Sequence, residues 1–127
     1  MSNVTILLLS HVEELARGAS RLLSEANAEV EVIAVGGLED GEIGTSVDCI
    51  TPMIERIDEQ KEILVFYDIG SAKMNAEIVQ EMYPDRIIEI SDAPLIEAGY
   101  VAVITAGLGS NLQEVKEKAE AGYKKGR

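Results

Sequence analysis

The sequence predicts an α/β protein built on a parallel sheet. Short apolar runs alternate along the chain with amphipathic segments of helical length, which is the order that βα units produce. The first run, Ile6-Leu7-Leu8-Leu9, is unbroken by polar residues, as suits a strand covered on both faces in the middle of a parallel sheet. Each run also ends in polar or glycine-containing residues at its carboxyl end, where open α/β sheets place their ligands.

The elements follow in order. The first strand spans about Val4 to Leu9 and ends in Ser10 and His11, the only histidine. Val12, Leu15, Ala16, Ala19, Leu22, Leu23 and Ala26 then recur at spacings of three and four and mark the packing face of a helix that contains Gly18. A second strand, about Val30 to Val35, runs into Gly36-Gly37-Leu38-Glu39-Asp40-Gly41-Glu42-Ile43-Gly44-Thr45-Ser46, with four glycines in eleven residues. Thr45 or Ser46 can cap the next helix, whose apolar face is Val47, Ile50, Ile54 and Ile57. Pro52 falls inside it, so a kink or a start delayed to Thr51 is expected.

The third strand, Ile63 to Tyr67, delivers Asp68, and Gly70-Ser71-Ala72-Lys73-Met74-Asn75 opens a helix that packs through Ile78, Val79 and Met82. A fourth strand covers about Arg86 to Ile90. Ser91 or Asp92 is the expected cap of a helix from about Ala93 to Ala106, with Pro94 in its first turn. That helix is apolar on most sides apart from Glu97, so the sheet or another subunit must cover it. After Gly107-Leu108-Gly109, Asn111 and Glu114 form a capping box for a last helix with Leu112, Val115, Ala119 and Tyr123 on its packing stripe; Lys124, Lys125 and Arg127 suit its C-terminal dipole.

Composition narrows the function. The 127 residues are most simply one domain, and 11 Lys and Arg against 23 Asp and Glu give a formal net charge of −12, which repels a nucleic-acid backbone. No run approaches the ~18 apolar residues of a membrane span, and no secretory leader pattern is present, so a cytoplasmic protein is expected. The single Cys49 has no partner for an internal disulfide and reads as a small core residue. Glu39, Asp40 and Glu42 lack the spacing of a calcium loop, and no metal site is expected.

The chemistry-bearing candidates are His11 and Asp68. Both leave strands at the same edge of the sheet, where a carboxylate accepting from one imidazole nitrogen fixes the tautomer and frees the other nitrogen to attack. Taken singly, each has a plainer reading: His11 as a polar rim residue, Asp68 as a turn cap. The helix that starts beside His11 offers a positive end suited to a phosphoryl group.

Taken together, Leu9-Ser10-His11, the glycine-rich segment 36–46, Asp68-Ile69-Gly70-Ser71-Ala72-Lys73-Met74-Asn75 and Ala93-Pro94-Leu95-Ile96-Glu97 resemble the mannose-type enzyme IIA family over essentially the whole chain. Within that family the likeness is to the phosphoryl-donor subunits of phosphotransferase-system-dependent dihydroxyacetone kinases. The resemblance implies a three-layer α/β/α fold with a four-stranded parallel sheet in the order 2-1-3-4, working as a homodimer. It implies that His11 takes a phosphoryl group on Nε2 from the phosphocarrier HPr, that Asp68 orients the ring, and that the group passes to ADP on a kinase subunit, which also brings the magnesium. A covalent phosphohistidine is then the only cofactor-like state of this chain. Gly37, Thr45, Ser46, Ser71, Met74 and Asn75 are the candidates for holding phosphate oxygens or a partner. Relatives more often carry Glu-Gly-Ala where Glu97-Ala98-Gly99 stands here, and lack Pro52. Some relatives also carry fused HPr-like and enzyme I-like domains, for which 127 residues leave no room.

Two other classes compete. A mannose-class sugar-transport IIA would use the same phosphohistidine with a permease-linked acceptor, and a non-enzymatic α/β regulatory module would only bind. A receiver-like domain phosphorylated on Asp68 is disfavoured, because the acidic pair such a domain needs after its first strand is here Ser10-His11.

Overall fold

The computed structural model describes residues 3–123. Its strands are β1 (Val4–Ser10), β2 (Val32–Gly36), β3 (Glu62–Tyr67) and β4 (Ile88–Ser91). Its helices are α1 (Glu13–Ser24), α2 (Val47–Arg56), α3 (Gly70–Met82), α4 (Leu95–Gly107) and α5 (Leu112–Glu120). All strand pairs are parallel and the order is β2-β1-β3-β4, as the family resemblance implies. Lys124, Lys125 and Arg127 lie outside the described residues.

β1 is buried along its whole length, and its side chains alternate between two cores. Val4, Ile6 and Leu8 join Leu64 and Phe66 under α1, α4 and α5, while Leu7 and Leu9 join Ile63 and Val65 under α2 and α3. The unbroken apolar run is thus explained: a central strand with helices on both faces has no water-facing side. Parallel pairing puts the carboxyl ends of β1 and β3 side by side, with Leu9 opposite Tyr67, and so brings His11 and Asp68 to one edge.

Several boundaries and faces differ from the sequence expectation. β2 begins at Val32 rather than Val30, because the Val30 amide donates to Asn27 O in the preceding turn. β4 begins at Ile88, since Arg86 is drawn into a turn and its guanidinium donates to the carbonyls of Ile54 and Asp58. α2 starts at Val47 and continues through Pro52, with Ser46 as its cap, so the start is not delayed to Thr51. α4 starts at Leu95. Pro94 is its N-cap residue, and Ser91 accepts from the Ala93 amide in the turn before it instead of capping the helix.

The packing stripes are narrower than periodicity suggests. On α1, Ala16, Ala19 and Leu23 are buried while Leu15 and Leu22 are about half exposed; on α3, Ala72, Ala76 and Val79 are buried while Ile78 and Met82 stand out. The alanines let each helix axis approach the sheet closely, and the larger residues beside them are left on the flank. Gly99 serves the same end on α4, where a Cβ would meet Leu23 Cδ2 at 2.6 Å. Cys49 is partly buried against the second core.

One close approach bears on the site. At Gly36, which ends β2, a Cβ would lie 2.7 Å from Val12 O and 2.9 Å from Glu13 Cα, both backbone atoms of the turn that leads from His11 into α1. Backbone cannot swing aside as a side-chain tip can. Gly36→Ala is therefore expected to lower stability by about 1–3 kcal/mol, as overpacking does. An unchanged urea midpoint would show that this turn yields freely.

Candidate active site around His11

The residues that build the site come from three junctions at the carboxyl edge of the sheet: β1–α1, β2–α2 and β3–α3. β1 ends in Ser10, which is fully buried, and the chain turns at His11. A buried hydroxyl needs partners. Ser10 Oγ donates to Asp68 Oδ2 at 2.8 Å and accepts from the Val12 amide at 3.1 Å.

Asp68 is the hub. Its Oδ2 accepts from Ser10 Oγ and from the His11 amide at 3.0 Å, and its Oδ1 accepts from the Ile69 amide at 2.7 Å and faces His11 Nδ1 at 2.9 Å. A carboxylate only accepts, so Nδ1 carries a proton, and in the neutral form of the ring the lone pair is therefore the one on Nε2. Nε2 lies 2.6 Å from Ser71 Oγ in the first turn of α3, and in that form the hydroxyl donates to it. Both side chains are mostly shielded, with 15% of His11 and 19% of Asp68 exposed. The ring is therefore held at both nitrogens, and Nε2 is covered by a group that rotates about a single bond.

Backbone contacts fix the rest. The Gly44 amide donates to His11 O at 2.8 Å and the Gly37 amide to Ser10 O at 3.4 Å, so the glycine-rich loop is tied to the strand end that carries the histidine. Gly37, Gly41 and Gly44 have positive φ, and at Gly37 and Gly44 that permits these bonds.

The helix ends favour an anion at α3. Neither α1 nor α3 has a side-chain cap, leaving their first amides unsatisfied by side chains. α1 carries Glu13 and Glu14 in its first turn, which already offset its dipole; α3 has no acidic residue there. The start of α3, with Ser71, is thus the more electropositive wall of the site.

Of the residues expected at the site, His11, Asp68 and Ser71 are in direct contact. Thr45 and Asn75 bond to one another, Asn75 Nδ2 donating to Thr45 Oγ1 at 2.7 Å, and so tie the segment before α2 to α3. Ser46 accepts from the Cys49 amide as the α2 cap, the Gly37 amide is engaged by Ser10, and Met74 is exposed on α3. Ser10 joins His11 through Asp68 without being a sequence candidate. The signal for it was a polar residue closing a wholly apolar run.

The protein resembles known ones across its length. A family model described as PTS system fructose IIA component (EIIA-man) matches residues 5–119. The PTS-dependent dihydroxyacetone kinase phosphotransferase subunit DhaM of Lactococcus lactis is 40% identical over 115 residues, covering 91% of this chain and 92% of that protein. The crystal structure of EF1359, a protein of unknown function, superposes with a TM-score of 0.86 at 30% identity over 100% of both chains. That of the phosphotransferase system component EIIA from Streptococcus agalactiae superposes at 0.70, with 20% identity, over 93% of this chain and 90% of that one, a likeness of fold.

The Asp68 carboxyl has a consequence for acid stability. Burial alone pushes it up, but the hydrogen bonds from the His11 amide, the Ser10 hydroxyl, the His11 ring and the Ile69 amide outweigh burial and hold it below its ordinary 3.8. A carboxyl depressed by folding contributes stability fully above its unfolded value, and that contribution is lost as pH falls through the folded one. Stability should accordingly fall with acidification below about pH 4, with a shallower acid limb in Asp68→Asn. Denaturation midpoints at stepped pH would measure both limbs, and parallel limbs would remove Asp68 from the explanation.

Proposed function

The chain belongs to the phosphotransferase-system IIA family of the mannose and fructose class, and from that premise we propose that it is the phosphoryl-donor subunit of a dihydroxyacetone kinase driven by phosphoenolpyruvate. His11 accepts a phosphoryl group from HPr and passes it to ADP held, with magnesium, on the kinase subunit. The single observation that carries this reading is the imidazole itself, fixed at Nδ1 by Asp68 and presenting Nε2 to Ser71 at the uncapped start of α3.

The chemistry follows from that geometry. As the donor approaches, the Ser71 hydroxyl turns away from the Nε2 lone pair. Nε2 then attacks phosphorus in line, an Nε2–P bond forms, and the donor's P–N bond breaks with its electron pair returning to the donor's imidazole. Nδ1 keeps its proton, and the positive charge that develops on the ring is stabilised by Asp68. Ser71 Oγ and the free amides of α3 accommodate the phosphoryl oxygens. In the second transfer a terminal oxygen of ADP attacks, the Nε2–P bond breaks, and neutral His11 is restored. Positioning and charge stabilisation suffice for both steps.

The surroundings suit protein partners. Ile43 and Ile69 are exposed on the segments that lead from β2 and β3 into α2 and α3, and Met74 is exposed on α3. Glu13 and Glu14 are exposed in the first turn of α1, and Glu39, Asp40 and Glu42 on the β2–α2 connection. That combination fits a partner face with an apolar centre and basic rim. α4 exposes Ile96, Val101 and Ile104, with Leu108 exposed just after it, and a second copy of this chain is the proposed cover, giving a homodimer. Thr45 and Asn75 brace α3 in this scheme, with Gly37, Ser46 and Met74 shaping the rim. No helix among the described residues is long and apolar enough to cross a membrane; the cytoplasmic setting belongs to the proposal through its HPr and kinase-subunit partners.

Incubation with phosphoenolpyruvate, enzyme I and HPr should give a label that is acid-labile and alkali-stable, absent in His11→Ala, and discharged to ADP by the kinase subunit. A label that persists in His11→Ala sinks the proposal; transfer only to a permease component would instead identify a sugar-transport IIA. Ser71→Ala should slow loading by about a hundred- to a thousandfold, the loss typical of one oriented donor. Because the rim is acidic, raising salt from 50 to 500 mM should weaken docking to both partners, seen as a rising KM. Salt-independent KM values would assign docking to the apolar contacts.

A further inference from the structure

Asp92 lies in the turn between β4 and α4, one residue beyond Ser91, which pairs with Phe66 of β3. Its Oδ1 receives the Tyr67 hydroxyl at 2.5 Å and lies 2.9 Å from Lys73 Nζ. Tyr67 is the last residue of β3 and immediately precedes Asp68; Lys73 belongs to the first turn of α3. One carboxylate oxygen therefore joins three chain segments beside the site.

The helix geometry connects this network to the histidine. Residues on a helix step by about 100° around its axis. With Ala72 fully buried toward the sheet, Ser71 and Lys73 leave α3 on opposite flanks. Ser71 reaches toward β1, to His11 Nε2, and Lys73 toward β4, to Asp92. Further along the Ser71 flank, Asn75 bonds to Thr45. The start of α3 is gripped on both sides, and the Asp92 side has no part in the mechanism above.

We infer that Asp92 is a positioning residue for phosphoryl transfer, holding the first turn of α3, through Lys73 and Tyr67, where the Ser71 hydroxyl meets His11 Nε2. This rests on the phosphohistidine reading of the site. A lone exposed ion pair contributes little to stability, but placement of a reacting group is sensitive in a way that stability is not, since a displacement of about 1 Å can cost about a hundredfold in rate. The groups are in the states the network needs. Burial, then the hydrogen bond to Asp92 and the charges of Asp92 and Glu77, push the Tyr67 hydroxyl up to about 12, so it remains a donor. The hydrogen bond to Asp92 raises Lys73 as well, which stays charged.

The test is a double-mutant cycle. Asp92→Ala should lower the maximum rate of loading from the phosphorylated donor about five- to tenfold with KM within about twofold, the signature of displaced reacting groups. In a Ser71→Ala background the same change should cost less than about twofold, because the hydroxyl it positions is already gone. Lys73→Met, on the surface, should act in the same direction and guards against a folding defect in Asp92→Ala. In the unphosphorylated protein, the ¹⁵N resonance of His11 Nε2 should move in both single variants toward its position in Ser71→Ala. Losses that multiply, a change in KM alone, or a His11 resonance unmoved in both variants would overturn the inference. If the unmodified protein takes no label, the phosphohistidine reading fails instead, and the resonance still reports whether Asp92 sets the His11–Ser71 contact.

Discussion

The Asp68 carboxylate accepts from the Ser10 hydroxyl, the His11 amide, the His11 ring and the Ile69 amide, joining strand ends 57 residues apart in sequence. Those bonds set the tautomer and plane of the imidazole together with the path of the backbone beside it. A carboxylate with its acceptor sites filled by oriented donors is costly to protonate and to move. The orientation of Nε2, the start of α3 and the seating of the glycine-rich loop against His11 all take their reference from this one group.

The helix dipoles divide the edge of the sheet into unequal walls. Glu13 and Glu14 spend the positive end of α1 on the protein's own charge, whereas α3 opens with Gly70 and Ser71 and has no acid in its first turn. In the proposed transfer, Nε2 has the Ser71 hydroxyl and the uncapped start of α3 on one side, while the start of α1 carries carboxylates. The chain's strong acidity, unhelpful to an anionic group, is consistent with partners that bring basic surfaces to the transfer.

Small residues decide how the layers sit. Ala16 and Ala19 on α1, Ala72 and Ala76 on α3, and Gly99 on α4 let the helices lie close to the sheet and to one another. The same closeness leaves Leu15, Leu22, Ile78 and Met82 partly in water, although their spacing placed them on the packing face. Periodicity marks the side of a helix that turns inward; the size of the residues sets how far around that side burial extends.

The sequence by itself determined the α/β class, the order of elements, the central place of the first strand and the delivery of His11 and Asp68 to one edge of the sheet. Those follow from local pattern: an apolar run with no polar interruption belongs between two layers, and parallel strands all present their carboxyl ends to one edge. The strand order came from family likeness rather than periodicity, because no local signal says which strands are neighbours. Only the tertiary structure decided that Ser71 rather than Thr45 or Ser46 meets Nε2, that Ser10 completes the Asp68 hub, and that Asp92 links Tyr67 to Lys73 rather than capping α4. Hydroxyls and carboxylates at strand-to-helix junctions look alike along the chain. Which of them caps a helix, braces a loop or faces the imidazole depends on distances of a few ångströms between segments that meet only when the sheet is assembled.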